Sequence, residues 1–212
     1  MWKADGLHIT GGADDKTGIA KKQPIPTSAL ENMDNSEIGQ LINECLEQNR
    51  SAQKILYKTF YDFAMGICLR YANNRHEAAE ILNKGFLKVF TSINRYRHRY
   101  PFKAWLGKIM VYASIRYYRS NIKTASFDDL ETADYMTKEE CDNTKLSYGD
   151  LLVKVQELSP GCRIVFNLYA IEGYSHEQIS KMLNINIRTS ESNLFKARMK
   201  LKEMIMKGNK KV

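Results

Sequence analysis

The sequence predicts an all-α protein made of two small helical domains joined by a flexible acidic linker. Apolar residues recur at the three- and four-residue spacing of amphipathic helices in two stretches, residues 36–123 and 149–207. No stretch alternates apolar and polar residues, so no strand is predicted. Between them, residues 124–148 break the helical period, and from Phe127 to Asp150 eight acidic residues stand against two lysines. This composition is typical of a solvated spacer, with folding back over a basic surface as the alternative.

The first helical stretch divides into four helices. Ser36 is the expected N-cap of the first, and the second begins near Ala52. The third covers about residues 76–93, and Pro101 opens the fourth, where a proline is tolerated in the first turn. Residues 1–35 are rich in Gly, Asp, Lys, Thr and Pro and have no sustained apolar period, so we expect a disordered tail.

The second stretch ends in two helices with the proportions of a helix-turn-helix. Ser175 and Gln178 have capping-box spacing at the start of the shorter helix, and the longer one begins near Ile187 after a three-residue turn capped by Asn186. The periodicity turns these residues inward: Ile179, Met182, Leu183, Ile185, Ser190, Leu194, Ala197 and Leu201. A plain helical hairpin would show the same pattern.

The outer face of the longer helix carries Arg188, Thr189, Glu191, Ser192, Asn193 and Lys196. Arg and Asn make bidentate contacts with base edges, and Ser and Thr bond phosphate, so this face is expected to read DNA. Glu191 repels phosphate, but four basic residues remain nearby, and a glutamate can accept a hydrogen bond from cytosine N4. We therefore expect an altered base preference rather than lost binding.

A second candidate nucleic-acid surface lies between Arg95 and Lys123, which holds eight Lys or Arg residues, seven aromatic residues and no acid. Basic side chains follow phosphates while aromatic faces stack on unpaired bases, so the segment suits melted rather than duplex DNA. Trp105 is assigned to packing, and Tyr96, Tyr100, Tyr117 and Tyr118 are the stacking candidates. The candidate contact residues are Arg95, Tyr96, Arg97, Arg99, Tyr100, Lys103, Lys108, Tyr112, Arg116 and Arg119.

Other classes of function find little support in the sequence. The net charge of +8 favours a polyanionic partner, and no apolar run approaches the roughly 20 residues of a membrane span. The four cysteines are scattered and are expected to be buried thiols in a reduced cytoplasm. We find no glycine-rich phosphate loop, catalytic triad or metal-ligand spacing, so no catalytic residue, metal or cofactor is predicted.

Three segments resemble the extracytoplasmic-function group of sigma-70-type sigma factors. They are ILNKGFLKVF (81–90), PFKAWLGKIMVYASIRYYR (101–119) and LSPGCRIVFNLYAIEGYSHEQISKMLNI (158–185), the last similar to the Bacteroidetes branch. The resemblance covers about residues 38–206. It implies a region 2-like domain at 36–123 that binds core RNA polymerase and melts the −10 promoter element. It also implies a region 4-like domain at 149–207 that reads the −35 element.

The resemblance places the polymerase-binding surface on the third helix, at Glu77, Glu80, Asn83 and Lys84. The chain departs from the family there, since Asn83 is shortened and Lys84 reverses a charge. Tyr112 and Arg116 replace the usual Asn and Asp of the melting helix, and Glu191 replaces a lysine of the reading helix. The implied partners are core RNA polymerase, promoter DNA and an anti-sigma factor, in the cytoplasm and without membrane insertion.

Two alternatives remain open at this point. One is a DNA-binding regulator that acts without polymerase, although the basic and aromatic segment at 95–123 argues against it. The other is a diverged sigma-like module that sequesters an anti-sigma factor and no longer starts transcription.

Overall fold

In a computed structural model, residues 35–97, 99–124 and 148–208 are described, and these residues form helices and short connections without strands. The predicted tail and linker lie outside the described residues, apart from helical residues at their edges. All described residues belong to one compact unit, residues 33–212. The all-α prediction is confirmed.

The N-terminal half consists of four helices, α1 to α4, close to where the periodicity predicts them. They span Asn35–Leu46, Arg50–Tyr71, Arg75–Ser92 and Phe102–Thr124. Asn49 and Asn74 cap α2 and α3, because their side chains accept hydrogen bonds from first-turn amides. Ser36 lies inside α1, so the prediction that it is the N-cap was wrong by at least one residue.

Helices α2, α3 and α4 pack around a common core of fully buried apolar side chains, among them Leu56, Ile81, Leu82, Leu106 and Met110. A short 3-10 turn, Ile93–Arg95, follows α3 and leads into α4. The core fixes which side of α4 faces water, and therefore which basic residues are available to a partner.

The C-terminal half contains the other four helices and one irregular turn. Helices α5 to α8 span Tyr148–Gln156, Pro160–Phe166, His176–Leu183 and Ile187–Gly208. Pro160 stands in the first turn of α6, where its missing N–H costs nothing. The sequence predicts one regular helix over 163–171, but α6 changes at Asn167 into a π-helical turn, Asn167–Ile171, in which Glu172 N donates to Asn167 O at 3.0 Å.

The two halves pack against each other. One cluster of buried residues runs from the core of α2–α4 into the C-terminal half, where it includes Ile164, Val165, Leu168 and Ile179. Polar contacts join the end of α2 to α5, α6 and the π turn. The sequence pattern within each half contains no sign of this packing, because it joins residues far apart in the chain.

Candidate nucleic-acid interface

The turn between α7 and α8 is fixed by local hydrogen bonds. Ser175 Oγ accepts from Gln178 N at 3.3 Å and Gln178 Oε1 accepts from Ser175 N at 2.9 Å, which is the predicted capping box. Asn184 ends α7 in the left-handed conformation, with φ of 57°. Asn186 Oδ1 then accepts from Arg188 N at 3.0 Å and so caps α8 as predicted. The left-handed Asn184 and the cap at Asn186 define the turn between the two helices.

The inner face of α8 is anchored as the periodicity predicts. Ile179, Ser190, Leu194 and Ala197 are buried, and Ser190 Oγ lies 2.9 Å from His176 Nδ1. The His176 ring stacks on Tyr169 with centroids 4.6 Å apart. The hydroxyl–imidazole contact fixes the rotation of α8 about its own axis, which decides the residues on its outer face.

That outer face presents most of the predicted reading residues to solvent. Five of them are exposed: Arg188, Thr189, Glu191, Ser192 and Lys196. Asn193 is half-buried, with its Nδ2 3.4 Å from the position that a Cβ would occupy on Gly161. The structure therefore keeps Asn193 partly engaged with the start of α6.

Phe195 is an exposed residue of this face that sequence reasoning missed. It is 65% exposed and stands one helical turn after Glu191. The sequence contained a signal for this exposure. Phe195 is not one of the inward positions of α8, such as Leu194 and Ala197, and it follows the outward Glu191 by one helical turn. An aromatic ring beside charged groups on such a face can contact the methyl group of thymine.

The second candidate surface separates into two groups along α4. The first surrounds the start of the helix, where Arg95, Arg97, Arg99, Tyr100 and Lys103 are exposed. The guanidinium of Arg99 lies 5.9 Å from the centre of the Tyr100 ring, and Tyr100 is 61% exposed. This group combines positive charge with an accessible aromatic face, as single-strand binding requires.

Tyr96 differs from its neighbours because it is packed into an aromatic cluster. Its ring lies edge-on to Phe102 at 5.3 Å and tilted against Trp105 at 5.5 Å, and its hydroxyl donates to Tyr100 O at 2.6 Å. Trp105 packs as predicted. Tyr96 thus supports the turn before α4, and Tyr100 has the more accessible ring for stacking.

The second group is a stripe along α4: Lys108, Tyr112, Arg116 and Arg119 are exposed and recur at helical spacing. Arg116 and Arg119 line a cleft of about 1160 Å³ between α3, α4 and α7. Its other basic side chains are Lys84, Lys88 and Lys181, and none of the residues lining the cleft is acidic. Lys88 and Lys181 were not among the predicted contact residues. Lys181 reaches the cleft only through the packing of the two halves.

Two other stacking candidates are less accessible than the sequence suggests. Tyr117 is half-buried, and the ammonium of Lys84 lies 5.3 Å from its ring centre. Burial raises the pKa of the Tyr118 hydroxyl to about 12, and its oxygen faces Gly161 of α6. Tyr118 belongs to the packing between the two halves.

The candidate polymerase surface lies on the exposed side of α3. Glu77 is half-buried, and its carboxylate accepts from Asn73 N at 3.0 Å. Glu80 pairs with Lys84 at 2.6 Å, a hydrogen bond that lowers the pKa of the Glu80 carboxyl. Asn83 is exposed, and its Oδ1 lies 3.5 Å from the hydroxyl of Tyr57. The reversed charge at Lys84 is therefore partly compensated within the helix.

Two known family models match the segments that contain these surfaces. The model described as "Sigma-70 region 2" matches residues 56–124, and the model described as "Sigma-70, region 4" matches residues 148–201. The chain belongs to the sigma-70 family. Region 2 of this sigma factor contains the basic surface of α4 and the predicted polymerase residues of α3, and region 4 contains all six predicted reading residues.

Curated relatives agree with this assignment and refine it to an extracytoplasmic-function sigma factor. The chain is 24% identical over 155 residues to the ECF RNA polymerase sigma factor SigM of Bacillus subtilis, covering 72% of this chain and 94% of the relative. It is 26% identical over 131 residues to the RNA polymerase sigma factor SigV of the same species, covering 62% and 77%.

Among solved structures, the chain is similar to the sigma factor RpoE in complex with the anti-sigma factor NepR from Bartonella quintana. The identity is 17% and the TM-score 0.43, with 72% of this chain and 96% of that chain covered.

Proteins of this family are transcription initiation factors rather than enzymes. Cys45, Cys68 and Cys162 are buried free thiols, as predicted, whereas Cys141 lies outside the described residues. In the part of the chain that the structure describes, no group of three or more potential metal ligands occurs, and no helix is both long and apolar enough to cross a membrane.

Proposed function

We propose that this sigma factor binds core RNA polymerase through α3, engages the −10 element through α4, and reads the −35 element through the outer face of α8. The observation that carries the proposal is the division of α8 into two faces. Five of the six predicted reading residues are exposed on one side, and Ser190, Leu194 and Ala197 are buried on the other.

In the proposed −35 contact, α8 lies in the major groove with its N-terminal turns against base edges. Arg188 and Lys196 add phosphate or guanine contacts, and Glu191 selects cytosine through its exocyclic amine. Phe195 adds an apolar contact suited to a thymine methyl. Glu191 and Phe195 lie one turn apart, so they would read neighbouring base pairs and set the promoter preference of this protein.

In the proposed −10 contact, the two groups on α4 have different roles. The turn before α4 offers Tyr100 as a stacking platform flanked by arginines. The stripe ending at Arg116 and Arg119 follows the phosphates of the displaced strand along the wall of the basic cleft that α3 and α4 form. Lys88 joins this path from α3.

Further parts of the proposal rest on the family resemblance. Glu77, Glu80, Asn83 and Lys84 contact the polymerase, an anti-sigma factor controls the protein, and its action takes place in the cytoplasm with the polymerase. The segment 158–185 supports a place in the Bacteroidetes branch of the group.

Reconstitution tests the proposal directly. Purified protein is added to core polymerase, and co-migration is measured first, followed by promoter-specific transcripts from a genomic template pool. We expect both. DNA binding without polymerase association would instead indicate a regulator that acts alone, and co-migration without DNA binding or transcripts would indicate a diverged module.

Two variants of α8 make the test specific to the −35 contact. Arg188→Ala removes an exposed side chain of the reading face and should reduce transcripts without affecting co-migration. Lys202→Ala is a matched control, because it removes an exposed basic side chain about 20 Å further along the helix. Equal loss of transcripts in both variants would contradict the proposed reading face.

A further inference from the structure

We infer that Tyr169 and His176 determine the specificity of the proposed −35 contact, although neither residue lies on α8. Together they hold α8 at one rotation about its own axis, and that rotation sets which base edges its outer side chains reach. The inference rests on the proposed function, because it concerns how sharply α8 discriminates between promoters.

The first point at which α8 is held is Ser190, near the start of the helix. Its side chain is fully buried, whereas its neighbours in sequence, Thr189 and Glu191, are exposed. Ser190 Oγ lies 2.9 Å from Nδ1 of His176, the first residue of α7. A hydroxyl can donate or accept, so this hydrogen bond forms with either tautomer of the imidazole.

The hydrogen bond of Ser190 differs from those of the other buried serines in the described part of the chain. Ser92 and Ser114 donate to Lys88 O and Met110 O, the carbonyls four residues earlier in their own helices. Bonds of that kind satisfy a hydroxyl without any neighbouring helix. Ser190 instead bonds to a side chain of another helix, so its hydroxyl constrains where α8 lies.

The second point is Arg198, eight residues and thus about 12 Å further along α8. Its guanidinium carbon lies 5.6 Å from the centre of the Tyr169 ring, within the range of a cation–π contact. The same ring stacks on the imidazole of His176, with centroids 4.6 Å apart and planes inclined by 24°. Both points of α8 are therefore held by one aromatic pair.

The aromatic pair has a firm support. Tyr169 belongs to the π-helical turn Asn167–Ile171, in which Asn167 and Leu168 are fully buried. His176 begins α7 directly after the capping-box residue Ser175. Because the backbone on both sides of the stack is fixed by packing or capping, the stack can hold α8 in place.

The rotation of α8 matters more for base contacts than for phosphate contacts. Buried Leu194 and Ala197 hold the helix through apolar packing, which is not directional. A rotation of about 20° moves an atom that lies about 6 Å from the helix axis by about 2 Å. Hydrogen-bond lengths vary by only about 0.5 Å, so such a rotation breaks contacts with base edges. Phosphate contacts carry no sequence information, so discrimination should fall more than affinity.

A promoter-discrimination assay with the reconstituted holoenzyme tests the inference. The template pool has a fixed −10 region, taken from a promoter that the wild-type holoenzyme uses, and a −35 element randomised over about six base pairs. Transcripts are sequenced. The discrimination ratio is the transcript yield from the −35 element that the wild type prefers, divided by the mean yield from its single-base variants.

Two single variants remove the hydrogen bond from opposite sides. His176→Phe keeps a ring against Tyr169, and Ser190→Ala removes only the hydroxyl. Each should lower the discrimination ratio about five- to tenfold, comparable to the loss of one good base contact. The double variant should lower it no further, because both changes remove the same bond.

Conservative variants separate the roles of the two rings. His176→Asn keeps a polar atom near the place of Nδ1 and should recover part of the ratio that His176→Phe loses. Tyr169→Leu removes the stacked ring and should lower the ratio, whereas Tyr169→Phe keeps the ring and should recover most of it.

Ser114→Ala is the matched control, because it removes the hydroxyl of an equally buried serine from α4. It should leave the discrimination ratio unchanged. The apparent Kd for core polymerase should stay at the wild-type value throughout the series, since α8 is not part of the proposed polymerase surface.

An unchanged ratio in both His176→Phe and Ser190→Ala would overturn the inference. An equal loss of transcript from every template in the pool would also overturn it, because the residues would then have a purely structural role. Additive losses in the double variant would show that His176 and Ser190 act separately, which contradicts the proposed pair.

If the wild-type holoenzyme gives no promoter-specific transcripts, the proposed function fails, and the placement of α8 is measured directly. Spin labels are attached to the full chain through Glu177→Cys and Lys196→Cys, two exposed positions on α7 and α8, with Cys141→Ser to prevent unwanted labelling. His176→Phe should shift or broaden the distance distribution by about 2 Å. An unchanged distribution would show that the aromatic pair does not position α8.

Discussion

Arg163 and Asn73 stand 90 residues apart in the chain, and their side chains are joined by a hydrogen bond of 2.7 Å. Arg163 is 1% exposed, and its other terminal nitrogen donates to Gln156 O at 2.5 Å and to Leu158 O at 2.7 Å. One buried guanidinium therefore ties the end of α5 to the connection between α2 and α3. Loss of this cation would leave several buried acceptors without a hydrogen-bond donor, so Arg163 is central to the stability of the fold.

Replacement of this guanidinium should destabilise the protein strongly. Arg163→Met leaves the carbonyls of Gln156 and Leu158 without their donor, so we expect the free energy of unfolding to fall by about 2–4 kcal/mol. Urea denaturation followed by circular dichroism measures it. Arg163→Lys keeps the charge but not the planar fork, and should lose less. A loss below about 1 kcal/mol for the methionine variant would show that water replaces the donor without cost.

Two helical glycines form a matched pair with different expected effects on stability. A Cβ at Gly66 meets nothing within 4 Å, so Gly66→Ala should stabilise α2 by about 1 kcal/mol through helix propensity. A Cβ at Gly85 collides with the buried sulfur of Met110, so in Gly85→Ala about 1–3 kcal/mol of overpacking offsets or exceeds the same gain. Thermal unfolding measures both, and equal stabilisation would mean that the contact between α3 and α4 is loose.

Glu191→Lys should strengthen DNA binding. The change removes a repulsion and adds a phosphate contact, so the slope of log Kobs against log salt should steepen by about 1. Fluorescence anisotropy with a −35 duplex between about 50 and 200 mM salt measures both quantities. Glu203→Lys, about 18 Å further along α8, is the control and should have a much smaller effect. Equal affinity and slope in wild type and Glu191→Lys would show that residue 191 does not face DNA.

Alkaline pH should destabilise the fold through its buried thiols. Burial raises the pKa of Cys68 to about 12 and that of Cys45 to about 11, from 9.0. Since the folded state holds these protons more tightly than the unfolded state, their contribution is complete below pH 9 and is lost as pH rises toward 11 and 12. Urea midpoints from pH 8 to 11 should fall, and the double variant Cys45→Ala with Cys68→Ala should flatten the decline. An identical decline in that variant would assign the effect to tyrosines.

Local features of the fold could be predicted from the sequence because neighbouring residues determine them. The capping box at Ser175 and Gln178, the cap at Asn186 and the buried side of α8 all depend on groups within a few positions of one another. Features that join distant residues could not be predicted. Lys181 enters the basic cleft only because α7 packs near α4, and Tyr96 belongs to a cluster that its own segment does not reveal.

The π-helical turn after α6 has a consequence for the orientation of region 4. A π turn accommodates one more residue than an α-helical turn, and each residue of an α-helix rotates the chain by about 100°. The π turn therefore absorbs one residue, and deletion of one residue within 167–171 would restore a regular helix while leaving the phase of α7 and α8 nearly unchanged. A regular α-helix over the residues as they stand would instead rotate Glu172 by about 100° away from Arg70, with which it pairs at 3.0 Å. The π turn thus keeps the downstream helices in place despite the additional residue.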